Sequence, residues 1–240
     1  MRRGWLLLAL AVGLAGCATV SAQHQFLIGH QRFAAGQYES AEQAFRAAVQ
    51  GNPGDAEALE MLGWALFKQG KHQESLKAFE TLVGRKERAS EALTGVAWNY
   101  FKLQRYDDAR AAFDKLAGVA PTVPDVYTGY GWLAFIKGSY DEAINHFRNA
   151  LVRAPEDADA NRGIGFSQLG AGRPAEALRP LTRALRREPG LNDVRVKLAT
   201  TYLKLHRYEE AGRTYRDVLA RDPQSQEAID GIVQVELKTK

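Results

Sequence analysis

The sequence has little cysteine. Cys17 is the only one in 240 residues, so no disulfide can form within the chain, and bridges are excluded as a source of its stability. Charge of one sign is also missing. Lysine and arginine number 32 against 28 acids, with Arg2 and Arg3 among the former, and there is no long basic run or aromatic-basic ladder. A body so near neutrality is not built to grip nucleic acid, and no nucleic-acid partner is expected. The apolar run Trp5–Ala15 has 11 residues, too few to cross a hydrocarbon core of about 30 Å as a helix. His24, His30, His72, His146 and His206 show no paired metal-ligand spacing. No nucleophile-base pair or glycine-rich phosphate loop emerges either, and Gly129-Tyr130-Gly131 has no strand before it. Neither cofactor, metal nor catalysis is expected. What remains is the composition of a folded chain, 45% hydrophobic and 25% charged.

The N-terminus reads as a leader. Arg2 and Arg3 form a positive start, the run Trp5–Ala15 a short apolar centre, and Leu14-Ala15-Gly16-Cys17 follows. This stretch resembles the lipobox of bacterial lipoproteins. The resemblance implies removal of residues 1–16, lipid on Cys17 as the new N-terminus, and a short tether over 17–21. Each buried methylene of an acyl chain contributes about 0.8 kcal/mol and one chain alone binds marginally, so several on one residue hold firmly. Ala18 follows the cysteine instead of the Asp of inner-membrane retention, so the expectation is an outer-membrane anchor facing the periplasm.

From Ala22 the chain repeats every 34 residues without insertion, over 22–55, 56–89, 90–123, 124–157, 158–191 and 192–225. Position 8 of the register is always small: Gly29, Gly63, Ala97, Gly131, Gly165, Ala199. So is position 20: Ala41, Ser75, Ala109, Ala143, Ala177, Ala211. Position 24 is large: Phe45, Phe79, Phe113, Phe147, Leu181, Tyr215. Position 32 is Pro53, Pro121, Pro155, Pro189 and Pro223, with Glu87 the departure. Small residues at 8 and 20 let two helices approach closely, the large one at 24 fills the gap to the next unit, and proline stops the second helix.

The pattern resembles the tetratricopeptide repeat, a 34-residue helix-turn-helix unit. It implies an all-α fold, a right-handed helical solenoid (superhelix) of six repeats, with 226–240 as a C-terminal capping helix. No unit buries its apolar face alone, so stability comes from stacking neighbours. Irregular joints are expected after repeat two, which lacks the proline, and after repeat five, which has Pro174 and Leu181 in place of aromatics. The cap is expected to turn Ile229, Ile232 and Val233 toward repeat six.

In such a fold the first helix of each unit lines the concave face, with positions 5, 9 and 12 toward the groove. Position 9 reads His30, Trp64, Trp98, Trp132 and Phe166, and position 12 begins Phe33, Phe67, Phe101 and Phe135. These nine rings are the expected partner-binding groove, and Gly95, Gly129 and Gly163, three residues before Trp98, Trp132 and Phe166, are expected to clear seats for them. Relatives that clamp a peptide carboxylate use Lys and Asn where this chain has Phe26 with His30, Glu60 with Trp64, and Thr94 with Trp98, so an apolar segment of another envelope protein is the better occupant. The alternative is glycan, stacked on tryptophan with Thr94, Asn99, Thr128 and Arg162 bonding hydroxyls. The acids Glu57, Glu91, Asp125, Asp159 and Asp193 at position 2 read as first-turn partners of the helix dipole.

Overall fold

A computed structural model describes residues 21–239. The expected leader, 1–16, and Cys17 lie outside the described residues. Among those described there are thirteen α-helices and no strand: α1 over 21–34, then α2 (Tyr38–Gly51), α3 (Ala56–Lys68), α4 (His72–Arg85), α5 (Ala89–Lys102), α6 (Tyr106–Val119), α7 (Pro124–Ile136), α8 (Tyr140–Arg153), α9 (Ala158–Gly170), α10 (Pro174–Arg187), α11 (Asn192–Lys204), α12 (Tyr208–Arg221) and α13 (Gln226–Thr239). Odd and even helices are the first and second helices of the repeats. No described helix is long and apolar enough to cross a membrane.

The helices form two compact units, one ending at Ala120 and the other starting at Pro121. In the first, α2 to α6 pack each on the next, and the first helices α3 and α5 also touch. In the second, α7 to α13 do the same, with direct contacts of α7 with α9, α9 with α11, and α11 with α13. Second helices lie farther apart in both units, and in the first it is the long Arg46 side chain of α2 that bridges to Glu74 of α4, at 2.6 Å. First helices therefore sit closer together, and their side is the inner face of each stack.

The position-24 rings are the pins. Phe45, Phe79, Phe113 and Phe147 are fully buried and Tyr215 is 2% exposed, each burial contributing about 1.5–3 kcal/mol. A Cβ on Gly63 would lie 2.8 Å from Phe79, and one on Gly95 only 2.4 Å from the same ring. Phe147 is held likewise, with 2.7 Å at Gly131 and 2.3 Å at Gly163. Each of these rings thus sits between position 8 of its own repeat and position 6 of the next. This corrects the expected role of Gly95 and Gly163: they clear space for the ring of the preceding repeat, not for Trp98 or Phe166 three residues on. The glycines forgo about 1 kcal/mol of helix propensity and gain the close approach.

The turn inside each repeat needs a left-handed residue at position 15. Glycine supplies it at Gly36, Gly70, Gly138 and Gly172, with φ from 73° to 77°, while Gln104 and His206 adopt φ 59° as ordinary residues. Between repeats, Asn52, Ala120, Ala154, Glu188 and Asp222 each precede a proline and take φ between −130° and −144°, the extended backbone that a following proline enforces. The joint after repeat five is thus regular, against expectation. The joint after repeat two is not: with Glu87 in place of proline, Lys86 and Arg88 turn left-handed at φ 57° and 45°.

Polar side chains tie neighbouring repeats in the first unit. Ser75 donates to the Gly63 carbonyl at 2.8 Å, and the fully buried Asn99 donates to Ser75 Oγ and to the Gly95 carbonyl, both at 2.8 Å. His72 Nδ1 lies 3.3 Å from Asn99 Oδ1, a partner for the histidine that stands where four other repeats have tyrosine. Glu42 is buried between α2 and the next repeat, accepting from Lys71 and Arg46 at 2.7 Å and Gln69 at 2.9 Å. Burial pushes its carboxyl upward, but those three donors outweigh burial and hold it at about 2.

Candidate functional site

The inner face of each unit is built from the rings at positions 9 and 12. Each position-9 ring leans on the buried position-24 ring of its own repeat: His30 on Phe45 at 5.7 Å, Trp64 on Phe79 at 4.9 Å, Trp98 on Phe113 at 5.2 Å and Trp132 on Phe147 at 5.1 Å, all edge to face. Position 12 then packs beside the tryptophan, with Phe67, Phe101 and Phe135 at 5.7, 5.7 and 5.6 Å. Its other side meets the aromatic at position 17: Phe33 on Tyr38, Phe67 on His72, Phe101 on Tyr106 and Phe135 on Tyr140. The two stripes are therefore the upper layer of the core, and part of each ring is left at the surface. His30, Phe33, Trp64, Phe67, Trp98, Phe101, Phe135 and Phe166 are all partly buried.

Trp132 is the exception and corrects the expectation of a bare indole. It is only 8% exposed. Phe166 stands 6.2 Å away, the Arg162 guanidinium lies 5.1 Å from its ring centre, and its Nε1–H donates to Asp159 at 2.8 Å. Arg162 is itself anchored by Asp159 at 3.1 Å and Asp193 at 2.6 Å, and reaches 5.4 Å from Phe166. Trp132 is thus roofed by an arginine of the following repeat. Asp159 and Asp193 do more than face a helix dipole: they hold that roof. Spacing along the chain does not announce this cluster, because Trp132, Asp159, Arg162 and Asp193 belong to three different repeats.

In the first unit the arrangement is more open. Trp64 Nε1–H donates to Glu60 at 3.2 Å, and Glu60, 7% exposed, is also bound by Arg88. Arg88 is one of the two left-handed residues of the proline-less joint, and it caps α5. Three first helices, α1, α3 and α5, present His30 with Phe33, Trp64 with Phe67, and Trp98 with Phe101, with Phe26 beside His30 at 4.6 Å. Six of the nine expected residues are thus gathered on one unit; Trp132, Phe135 and Phe166 are on the other, where Phe135 and Phe166 lie 6.5 Å apart.

The polar groups proposed for sugar hydroxyls are already engaged. Thr94 donates to the Ser90 carbonyl at 2.9 Å and Thr128 to the Pro124 carbonyl at 3.2 Å, both within their own helices. Asn99 is buried in the Ser75 network and Arg162 is ion-paired. Among the described residues, no group of three or more His, Cys, Asp or Glu is placed to hold a metal ion.

Stacked helical hairpins with a ring-lined inner face define a repeat scaffold of the protein-interaction class. Two sequence profiles described as tetratricopeptide repeat match the chain, one over 26–92, 96–158 and 131–192 and the other over 168–233. The chain belongs to the tetratricopeptide-repeat family. Among solved structures, similarity extends to the APC/C hetero-tetramer Cut9-Hcn1, with TM-score 0.83, 18% identity, and 90% of this chain but 43% of that chain covered. This chain therefore spans less than half the length of that protein. PilW, a widely conserved type IV pilus biogenesis factor, is similar with TM-score 0.70 and 16% identity over 87% of this chain and 97% of its own. Pseudomonas aeruginosa pilF is similar with TM-score 0.67 and 12% identity over 89% and 97%. No curated protein matches the chain in sequence.

Proposed function

We propose that the inner face of the first unit docks an apolar segment of a partner protein, and that the chain is a scaffold or assembly factor of the bacterial envelope, anchored through lipid on Cys17 to the outer membrane and facing the periplasm. One observation carries the docking reading: Trp64, Trp98, Phe33, Phe67 and Phe101 stand partly uncovered on three helices of one unit, whereas in the second unit Trp132 is covered by Arg162 and only Phe135 and Phe166 are left in that state. Partly exposed aromatics on a rigid floor give a partner its buried anchors at low entropic cost. The location reading is supported by the residues that read as a leader and by Leu14-Ala15-Gly16-Cys17, and type IV pilus biogenesis, the role named for PilW, is one setting that suits it. A photocrosslinking residue placed at Phe101 in living cells should yield a defined adduct, and one at Val152, on a second helix and 77% exposed, should not. Equal adducts from both positions would refute the inner face as the docking surface. Mass spectrometry of the N-terminal peptide tests the anchor: the mature protein should begin at a lipid-bearing Cys17, and Cys17→Ser should abolish both cleavage and lipid.

A further inference from the structure

The outer face of α13 carries an exposed apolar stripe. Ala228, Gly231 and Val235 face the stack and are buried, and a Cβ on Gly231 would lie 2.3 Å from Tyr215, the same seat that Gly95 and Gly163 provide. This corrects the expectation that Ile229 and Val233 turn inward. Instead Ile229 is 38%, Val233 50% and Leu237 69% exposed, spaced four residues apart along one side and forming a stripe about 12 Å long. A cavity of ≈ 280 Å³ lined by Leu203, His206, Tyr208, Gln234, Leu237 and Lys238 opens at its C-terminal end. In the register of the repeats the stripe holds positions 4, 8 and 12, the side that each upstream first helix turns to its own second helix.

Two features say what covers it. At position 8 the six upstream repeats carry Gly or Ala, and at Gly29, Gly63 and Gly131 even a Cβ would strike the position-24 ring. Val233 fills that seat, so the ring of a standard second helix has no place here. The acids Asp230 and Glu236 flank the stripe and are exposed, Asp230 accepting from Gln226 of its own helix at 2.9 Å, while Glu227, further round, is tied to Lys197 at 3.3 Å and Lys238 stands only at the cavity end. We infer that this face takes an amphipathic helix of a partner protein whose small or branched apolar side chains lie against Ile229, Val233 and Leu237 and whose lysines or arginines meet Asp230 and Glu236. A second copy of this chain fits poorly, because antiparallel pairing about Val233 puts the two copies' Asp230 side chains on one flank and their Glu236 side chains on the other, acid beside acid on both.

The test uses the whole protein and two synthetic amphipathic helical peptides of about four turns, with leucine and alanine on one side and flanking lysines in one, glutamates in the other. By fluorescence anisotropy the lysine peptide should bind at least ten-fold tighter than the glutamate peptide. Asp230→Lys with Glu236→Lys should reverse that order, and Val233→Asp should abolish binding at an unchanged melting temperature. Trp98→Ala should leave this binding intact, which separates it from docking on the inner face. Equal affinity for both peptides, or binding of neither, overturns the inference. So does a doubled mass in light scattering that Val233→Asp returns to a monomer, which would assign the face to a second copy.

Discussion

Replacing Gly95 with alanine sets two known effects against each other. In an open helix interior the change stabilises by about 0.5–1 kcal/mol. At Gly95 the new Cβ would lie 2.4 Å from Phe79 Cγ and Cδ2 and 2.5 Å from Cδ1, and carbon atoms rest at about 3.5–4.0 Å. The ring must retreat by more than 1 Å, but behind it stands Gly63, whose own site is closed to within 2.8 Å of the same ring. Overpacking of this kind costs about 1–3 kcal/mol, so Gly95→Ala should be a net loss of about 1–2 kcal/mol, or roughly 2–8 °C in a chain of this size. Gly118→Ala is the control. It also lies in a helix, α6, and a Cβ there meets nothing within 4 Å, so it should be neutral or stabilising. Circular-dichroism melts of both variants give the comparison, and adding Phe79→Leu to Gly95→Ala should restore part of the loss, with a coupling of at least about 0.5 kcal/mol. A Gly95→Ala protein as stable as Gly118→Ala would refute the pinned-ring account of the stack.

Trp132→Ala should cost about 3–5 kcal/mol as a core truncation, and Trp98→Ala clearly less, both read from chemical denaturation; equal costs would contradict the different roofing of the two faces. Gln104→Gly and His206→Gly relieve left-handed backbone in ordinary residues, and each should raise stability by about 1 kcal/mol in the same assay. Glu42 has a folded-state pKa lowered from 4.5 to about 2, so its contribution is whole above pH 4.5 and is lost as pH falls through about 2. Because Arg46 and Lys71 are half-exposed, about 1–2 kcal/mol is expected after screening. Unfolding free energies at pH 6 and pH 2 should therefore differ by that much less in Glu42→Gln than in the parent.

The fold was legible because it is written six times over: the small residues at positions 8 and 20, the rings at 24 and the prolines at 32 each fall where the stack uses them. What was not legible lies between repeats. Gly95 was assigned to Trp98 because spacing along a helix reveals neighbours on that helix only, while its true occupant, Phe79, comes from the preceding repeat. Trp132 looked like its counterparts Trp64 and Trp98, yet Arg162 and Asp159 of the following repeat cover it. The cap was misoriented because Ile229 and Val233 are the larger apolar residues, although Gly231 at position 6 already marked the side that meets Tyr215. The joint after repeat two was flagged by its missing proline, but that Arg88 would thereby reach Glu60 required the backbone.

The pinning of one repeat's ring in the next repeat's helix limits which cassettes could be spliced out. Removing 158–191 would bring Phe147 up to Lys197, the residue that holds position 6 in the following unit, in place of Gly163. That seam would set a charged side chain where Phe147 now meets bare backbone, whereas the one bulky residue that a phenylalanine meets at this position elsewhere, Met61 after Phe45, is uncharged and flexible. Leu181, which now precedes Lys197, is the smaller wedge such a seam tolerates, so the fifth unit works as an adaptor that could not be shuffled or dropped as freely as its near-identical length suggests.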